Sequence, residues 1–458
     1  MKLEFFSGTL ELSLGKEESF PACLEGIFKF DPRTRNYRAR GCDYAAVVVE
    51  LRMHNIPFTD LAADYGYEGK WQLKEEITPR THQKKALEKW LQAGGRGIAA
   101  LPTGSGKTIL AILAIAEIKR PAIILVPTID LLSQWASVLE RFLSVPVGML
   151  GGGSRQIEAV TVSTYDSAVL NMEFIGNRFG LLIADECHHL PGPETRLGGS
   201  MCIAPYRLGL SATPEMPEER MAVMKELLGE IICQVHIDEL EGKVLSPYLV
   251  KHWEIPLDPE EYDLYTRARS YYLEFIRRNR IDFRQESAWG RFLSLVGRSP
   301  EGRQAFRAFL DQRRLARGGE AKVRALWEIL RRHAGERIIV FTADNSTAYE
   351  LGRRFMLPVL THLTKAAERK EFLDKFRDGT YSVLITNRVL NEGVDVPAAA
   401  VGVILAGSGS VREHVQRLGR VLRAAPGKEQ ALLYELVSAG TSEESVSSRR
   451  RSHRAYTR

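Results

Sequence analysis

The stretch LPTGSGKT, residues 101–108, constrains this chain more than any other. It follows a short apolar run at 97–100 that reads as a buried strand. It precedes 109–118, an alanine- and isoleucine-rich run of helical length. Strand, glycine-rich turn and helix start are the setting a phosphate-binding loop requires. Gly104 and Gly106 let the backbone approach phosphates without a Cβ in the way. The N–H groups so exposed, with a helix dipole behind them, point at an anion. Thr103 and Ser105 complete the loop, Lys107 is placed to neutralise β and γ phosphates, and the Thr108 hydroxyl to hold Mg²⁺. The strict pattern GxxxxGK[ST] is not met, because its first glycine falls on Leu101.

A loop of this kind needs carboxylates, and residues 181–184 (LLIA) form an apolar strand that delivers Asp185 and Glu186. Asp185 can hold Mg²⁺, and Glu186 can orient and deprotonate an attacking water. Cys187, His188 and His189 follow consecutively and cannot all converge on one ion, which argues against a metal site there. Upstream, Arg80 and Gln83 open a helix at 82–91; Gln83 can read adenine through its amide, with Arg80 supporting it. Far downstream, in REHVQRLGRVLR, Gln416, Arg420 and Arg423 fall at i, i+4 and i+7, on one helical face. Arginines supplied across a cleft stabilise charge in phosphoryl transfer.

Further strands are expected at 121–126, 160–163 and 208–210, then at 337–342, 381–386 and 401–405, with helices at 321–332 and 365–379. Strands alternating with helices at this spacing give parallel doubly wound sheets, whose ligands sit at the carboxyl ends of the strands. Pro127 and Thr128, and Thr164 with Tyr165, end strands and begin helices, which suits contacts to a nucleic-acid phosphate. Residues 151–153 (GGG) read as a close-approach loop.

The chain has 458 residues, too many for one core, and a net charge of +6 that is unevenly placed. The tail at 445–458 holds five arginines and no acid; without them 58 basic residues face 57 acidic ones. Within that neutral remainder, 267–317 holds 13 arginines, no lysine and five acids, which points to a polyanion partner. Aromatic residues interleave with these arginines, most of them as the segment's own core. Residues 1–75 read as a small separate α+β domain with a hairpin in LEFFSGTLELSL and a helix at 44–54. Its arginines 33, 35, 38 and 40 suit either a nucleic-acid contact or an exposed hairpin face. Five scattered cysteines without a CxxC pair are expected to be buried, reduced thiols rather than disulfides or zinc ligands. No apolar run spans a bilayer and the N-terminus is unlike a signal peptide, so the expectation is no membrane and, for a prokaryotic source, the cytoplasm; for a eukaryotic one, the nucleus.

In order, PTGSGKT, VSTYDSA, DECHH, SATP, FTADN, NEGVDVP and QRLGRVLR resemble the motif series of superfamily 2 helicases and translocases, whose phosphate loop also departs from the strict glycine pattern. More narrowly, FDPRTRNYRA, GNRFGLLIADECHHLP and GVILAGSGSVREHVQRLGRVLR resemble the XPB/Rad25 family, especially its short archaeal members. The resemblance implies an α/β chain of two RecA-like parallel-sheet domains, at 76–242 and at 243–257 with 319–441. A damage-recognition-like domain would occupy 1–75, a thumb-like insert 258–318 and a basic tail 442–458. It implies ATP and Mg²⁺, with Gly393 and Asp395 joining the nucleotide contacts, and 3′-5′ translocation on or opening of double-stranded DNA, forked or damaged, in repair or transcription. Thr342, Asn387, Arg277 and Arg278 become nucleic-acid candidates, and a nuclease or repair factors become candidate partners. Two departures stand out. Cys187 replaces the usual Val or Ala, and the expected Arg-Glu-Asp element reads EMPEERMAV, which bears on strand opening more than on ATP hydrolysis. The alternatives are an RNA helicase or restriction-type motor, and a non-enzymatic scaffold, against which the intact Lys107, Asp185 and Glu186 speak.

Overall fold

The computed structural model describes residues 1–15, 18–67, 69–212, 214, 216–240, 246–283, 285, 287–387, 399–406 and 430–451. Gly393, Asp395, Gln416, Arg420 and Arg423 lie outside the described residues, as does the end of the basic tail. The chain divides into two compact units between residues 240 and 241. No helix among the described residues is long and apolar enough to cross a membrane.

The first unit opens with a five-stranded sheet. Strands β1 (Lys2–Phe6), β2 (Thr9–Ser13), β3 (Lys29–Asp31), β4 (Asn36–Arg40) and β5 (Thr59–Asp60) lie in the order β3-β4-β2-β1-β5, antiparallel except for the β1–β5 edge. Helix α1 (Tyr44–Met53) packs Val47 and Leu51 onto Leu3, Leu10 and Leu12. Ile203, from later in the same unit, joins this core. Gly41 shows how close that junction is: a Cβ there would stand 2.6 Å from the Met201 carbonyl oxygen. Three of the four early arginines are paired with acids: Arg33 with Asp31 at 2.9 Å, Arg38 with Glu11 at 2.9 Å, and Arg40 with Asp43 at 2.8 Å and with Glu226. Tyr37 stacks on Phe20 at 4.1 Å.

An eight-stranded sheet follows: β6 (Arg96–Ala100), β7 (Ala122–Val126), β8 (Val147–Gly151), β9 (Ser154–Arg155), β10 (Val160–Thr164), β11 (Leu181–Asp185), β12 (Tyr206–Ser211) and β13 (Ile231–Gln234). Their order is β13-β6-β12-β11-β7-β10-β8-β9, parallel except for the β8–β9 hairpin. The loop at 151–153 is therefore the turn of a hairpin. Strands β7, β10 and β11 are buried along their whole length, as unbroken apolar runs in a sheet covered on both faces must be. The covering helices are α2 (Thr81–Gln92), α3 (Lys107–Ile118), α4 (Ile129–Phe142), α5 (Tyr165–Ile175), α6 (Arg196–Ser200), α7 (Glu218–Leu228) and the short α8 (Ile237–Leu240). Arg207 is wholly buried and donates to the carbonyls of Ala204, Gly199, Leu227 and Cys202, so its charge is spread over the ends of surrounding turns.

The second unit contains a six-stranded, all-parallel sheet: β14 (Tyr248–Pro256), β15 (Ile338–Phe341), β16 (Val359–Leu360), β17 (Val383–Thr386), β18 (Val401–Ile404) and β19 (Ala431–Ala439), ordered β14-β19-β18-β15-β17-β16. Between β14 and β15 run α9 (Pro259–Arg278), α10 (Ala288–Arg298), α11 (Pro300–Gly318) and α12 (Glu320–Arg332). Phe292 is fully buried among Tyr272, Phe275 and Phe306, a small core belonging to the three helices α9–α11. Tyr265 instead accepts the Ser442 N–H at 2.7 Å, tying α9 to α15 (Ser442–Arg451). Helices α13 (Asn345–Phe355) and α14 (Ala366–Arg377) complete this unit.

Candidate nucleotide site

At the carboxyl edge of the first parallel sheet, β6 ends at Ala100 and the chain turns into α3. Gly104 and Gly106 take φ of 84° and 88°, where a side chain would strain the backbone. The Ser105 hydroxyl donates to the Pro102 carbonyl at 2.7 Å and pins the turn. The Thr103 hydroxyl is buried and makes no hydrogen bond, so the loop keeps a polar group in reserve. Thr108 is half-buried in the first turn of α3.

Asp185 is the last residue of β11, and Glu186 follows in the left-handed region, φ 46° and ψ 53°. That conformation is costly for a non-glycine residue and turns the chain sharply out of the sheet. The Glu186 carboxylate meets Lys107: Nζ stands 3.0 Å from Oε1, and each side chain is 12% exposed. Burial works against the lysine's charge, but Glu186 and then Asp185 outweigh it and raise its pKa. Burial also raises the Asp185 pKa, opposed by Lys107 and reinforced by Glu186. An ionised Asp185 next to Glu186 therefore calls for cations, which suits a magnesium-nucleotide site.

Asp185 is held by three neighbours. The Trp135 indole N–H donates to its Oδ2 at 2.8 Å, the Glu186 N–H to its Oδ1 at 3.0 Å, and the Tyr165 hydroxyl to its carbonyl at 2.9 Å. Sequence reasoning passed over Trp135, although a signal was present. It lies in PTIDLLSQW on the core face of α4 with Leu132, Ala136 and Leu139, and a buried indole N–H needs a partner. Next to Glu186, Cys187 is fully buried with its Sγ 3.7 Å from the Met224 Sδ, a small apolar substitute. His188 links the strand ends: its Nδ1 lies 3.5 Å from the Ser211 hydroxyl and its carbonyl accepts from Arg220 at 3.3 Å. Arg220 of EMPEERMAV thus touches the acidic turn.

The other candidates fall in three groups. Gln83 is buried and its amide is spent on backbone: it accepts from the Arg80 N–H at 2.9 Å and donates to the Ser105 and Gly106 carbonyls at 3.2 and 3.1 Å. Gln83 here braces the phosphate loop, with His82 contacting the Ser105 carbonyl at 2.8 Å. Thr128 and Thr164 cap α4 and α5 through their side chains; Pro127 and Thr128 are half-buried, while Thr164 is buried. Tyr165 faces inward onto Asp185, the opposite of a nucleic-acid contact. In the second unit Thr342 is wholly buried and donates to the Asp344 and Thr386 carbonyls, and Asn387 donates to Asn345. Arg277 and Arg278 are exposed on α9, Arg278 paired with Glu274.

Three family models match: the Xeroderma pigmentosum group B helicase damage recognition domain over residues 3–62, the type III restriction enzyme res subunit over 76–216, and the helicase conserved C-terminal domain over 321–425. A DNA 3′-5′ translocase XPB2 of Sulfurisphaera tokodaii is 38% identical over 379 residues, covering 83% of this chain and 86% of that protein. A DNA 3′-5′ helicase XPB of Mycobacterium tuberculosis is 28% identical over 381 residues, and the match spans 80% of this chain and 61% of that one. Among solved structures, Saccharomyces cerevisiae Dbp5 bound to RNA and ADP BeF3 aligns with a TM-score of 0.57 over 83% of this chain and 89% of that chain. At 17% identity this is a likeness of fold. The chain belongs to the XPB family of superfamily 2 helicases and translocases.

Proposed function

We propose that this protein is a DNA-stimulated ATPase that translocates on, or opens, double-stranded DNA in repair or transcription-linked work. The observation that carries the reading is the Lys107–Glu186 pair at 3.0 Å, set beside Asp185 and the spare Thr103 hydroxyl on one strand-end cluster. These residues fit a magnesium-bound nucleoside triphosphate. Thr103, Ser105 and Lys107 would receive its phosphates, and Thr108 with Asp185 would hold the metal. ATP with Mg²⁺ supplies the reactive phosphoanhydride and shields its charge.

Lys107 then exchanges its carboxylate partner for phosphate oxygens, which releases Glu186 to orient and deprotonate water. Arg420 and Arg423 are proposed to supply positive charge to the phosphates and Gln416 an amide, with Gly393 and Asp395 as further nucleotide contacts. His188, between Glu186 and Ser211, carries the state of the acids to the strand that ends in SATP, while Arg220 braces the turn. Residues 258–318 act as the basic duplex grip, with Arg277 and Arg278 among its contacts, and 1–75 as a damage-recognition-like domain. A repair nuclease is the fitting class of partner. Phosphate contacts make the binding sequence-independent and salt-sensitive.

The test compares phosphate release with duplex DNA, single-stranded DNA and RNA, beside strand-displacement and triplex-displacement assays. Duplex-stimulated turnover with triplex displacement is the expected result, and RNA-selective stimulation or no stimulated turnover would overturn the reading.

A further inference from the structure

The N-terminal domain brings together three side chains that the nucleotide chemistry does not use: Cys23, partly buried against the domain's core, and Glu50 with His54, whose Nδ1 lies 3.6 Å from the Glu50 Oε2. Cys23 lies in the one-turn helix Ala22–Leu24, Glu50 lies in the last turn of α1, and His54, four residues on, caps that helix. One ligand atom from each falls within 4.8 Å of the others, the one such grouping among the described residues. Of the five cysteines, Cys23 alone is not buried.

We propose that Cys23, Glu50 and His54 form a site for a zinc-class divalent metal on the damage-recognition domain, separate from the magnesium site of the nucleotide. The donor set selects the ion: a thiolate and an imidazole with one carboxylate suit zinc or cobalt, whereas magnesium and calcium take oxygen alone. The backbone under the ligands is fixed, because Leu24 and Leu51, next to Cys23 and Glu50 in the chain, are wholly buried in the same core. Bonds of about 2.0–2.3 Å to a tetrahedral ion set ligand atoms roughly 3.4–3.7 Å apart, so the three must draw in by about an ångström. Side-chain rotation supplies that, since His54 is exposed and Cys23 and Glu50 are half-exposed. The His54 Nδ1 rests 3.0 Å from the Glu50 carbonyl; with its proton donated there, Nε2 keeps the lone pair for the ion. On binding, the Cys23 thiol gives its proton to solvent and its sulfur a lone pair to the metal, and water fills the fourth position. The ion clips the turn at residues 22–24 to the end of α1.

Cobalt(II) titration of the metal-stripped full-length protein tests this by absorption. The expected result is a thiolate-to-cobalt charge-transfer band saturating at one equivalent and displaced by zinc. It should be lost in Cys23→Ser and weakened in His54→Ala, while both variants keep the basal ATPase. Cobalt at the nucleotide site meets oxygen donors and gives no thiolate band, so failure here is distinct from failure of the motor reading. Absence of the band in the wild type, or its survival in Cys23→Ser, overturns the proposal.

Discussion

Each unit of this protein buries a lysine against a glutamate, and the two pairs do different work. Lys322 is fully buried and Glu443 nearly so; Lys322 also donates to the Leu405 carbonyl at 2.9 Å, and Glu443 accepts the Ser438 N–H at 3.0 Å. That pair staples α12 to α15 and to the ends of β18 and β19. Lys107, just past the glycine loop, meets Glu186, just past β11, beside a second carboxylate and a hydroxyl without a hydrogen bond. A pair tied into strand ends by the Leu405 carbonyl and the Ser438 N–H holds a fold together. In the proposed function, the pair set beside an unbonded hydroxyl is the one an anion would open.

The contrast can be broken in several ways. The largest effect belongs to Lys107→Ala, expected to cut ATP turnover by at least ~100-fold with little change in melting temperature, since it removes phosphate-charge stabilisation. Steady-state phosphate release beside thermal unfolding checks it; wild-type turnover would erase the distinction. Lys322→Ala should do the reverse. Stranding Glu443 in the interior costs about 3–5 kcal/mol of stability, while turnover per folded molecule stays near wild type. Denaturant melts read this, and an unshifted melt would show the staple to be idle.

Trp135→Phe comes next. It removes the N–H from Asp185 but keeps an aromatic ring, so the Mg²⁺ concentration for half-maximal activity should rise by about 10-fold, as for other lost partners of metal ligands. Metal-free nucleotide binding should not move; equal weakening with and without metal would mean a packing defect. The smallest effect is in thiol chemistry. Burial, then the charge of Glu186, raises the Cys187 pKa, and burial pushes the Cys42 thiol up to about 11. A raised thiol pKa means less thiolate at pH 8, so both should resist alkylation that takes Cys23, and reactivity should return only as pH nears the raised values. Mass spectrometry of labelled Lys322→Ala should give the same pattern, because its damage is confined to the other unit.

Much of this was legible in the amino-acid order, for a physical reason. Residues 101–108 and 181–186 are local: apolar strand, turn and charged tip are contiguous, so pattern and chemistry coincide. The buried strands β7, β10 and β11 stood out as unbroken apolar runs. Strands β13 and β14 did not, since one is four residues long and the other an exposed edge with mixed polarity. Partnerships across the chain stayed hidden. Nothing local tells that Trp135 finds Asp185, that Tyr165 turns inward, or that Gln83 braces the loop in this structure. The glutamine's amide fits a base and a backbone carbonyl equally well, and tertiary geometry decides between them. Cys23 was expected to be buried, and its neighbours Glu50 and His54 carry no recognisable spacing to it.

We propose that Glu186 is a catalytic group which Lys107 holds in check until phosphate arrives. The direct measurement is single-turnover phosphate release from Glu186→Gln loaded with ATP and Mg²⁺ on duplex DNA. The variant should bind nucleotide and DNA as the wild type does and release phosphate at least ~100-fold more slowly. Release at the wild-type rate would contradict it.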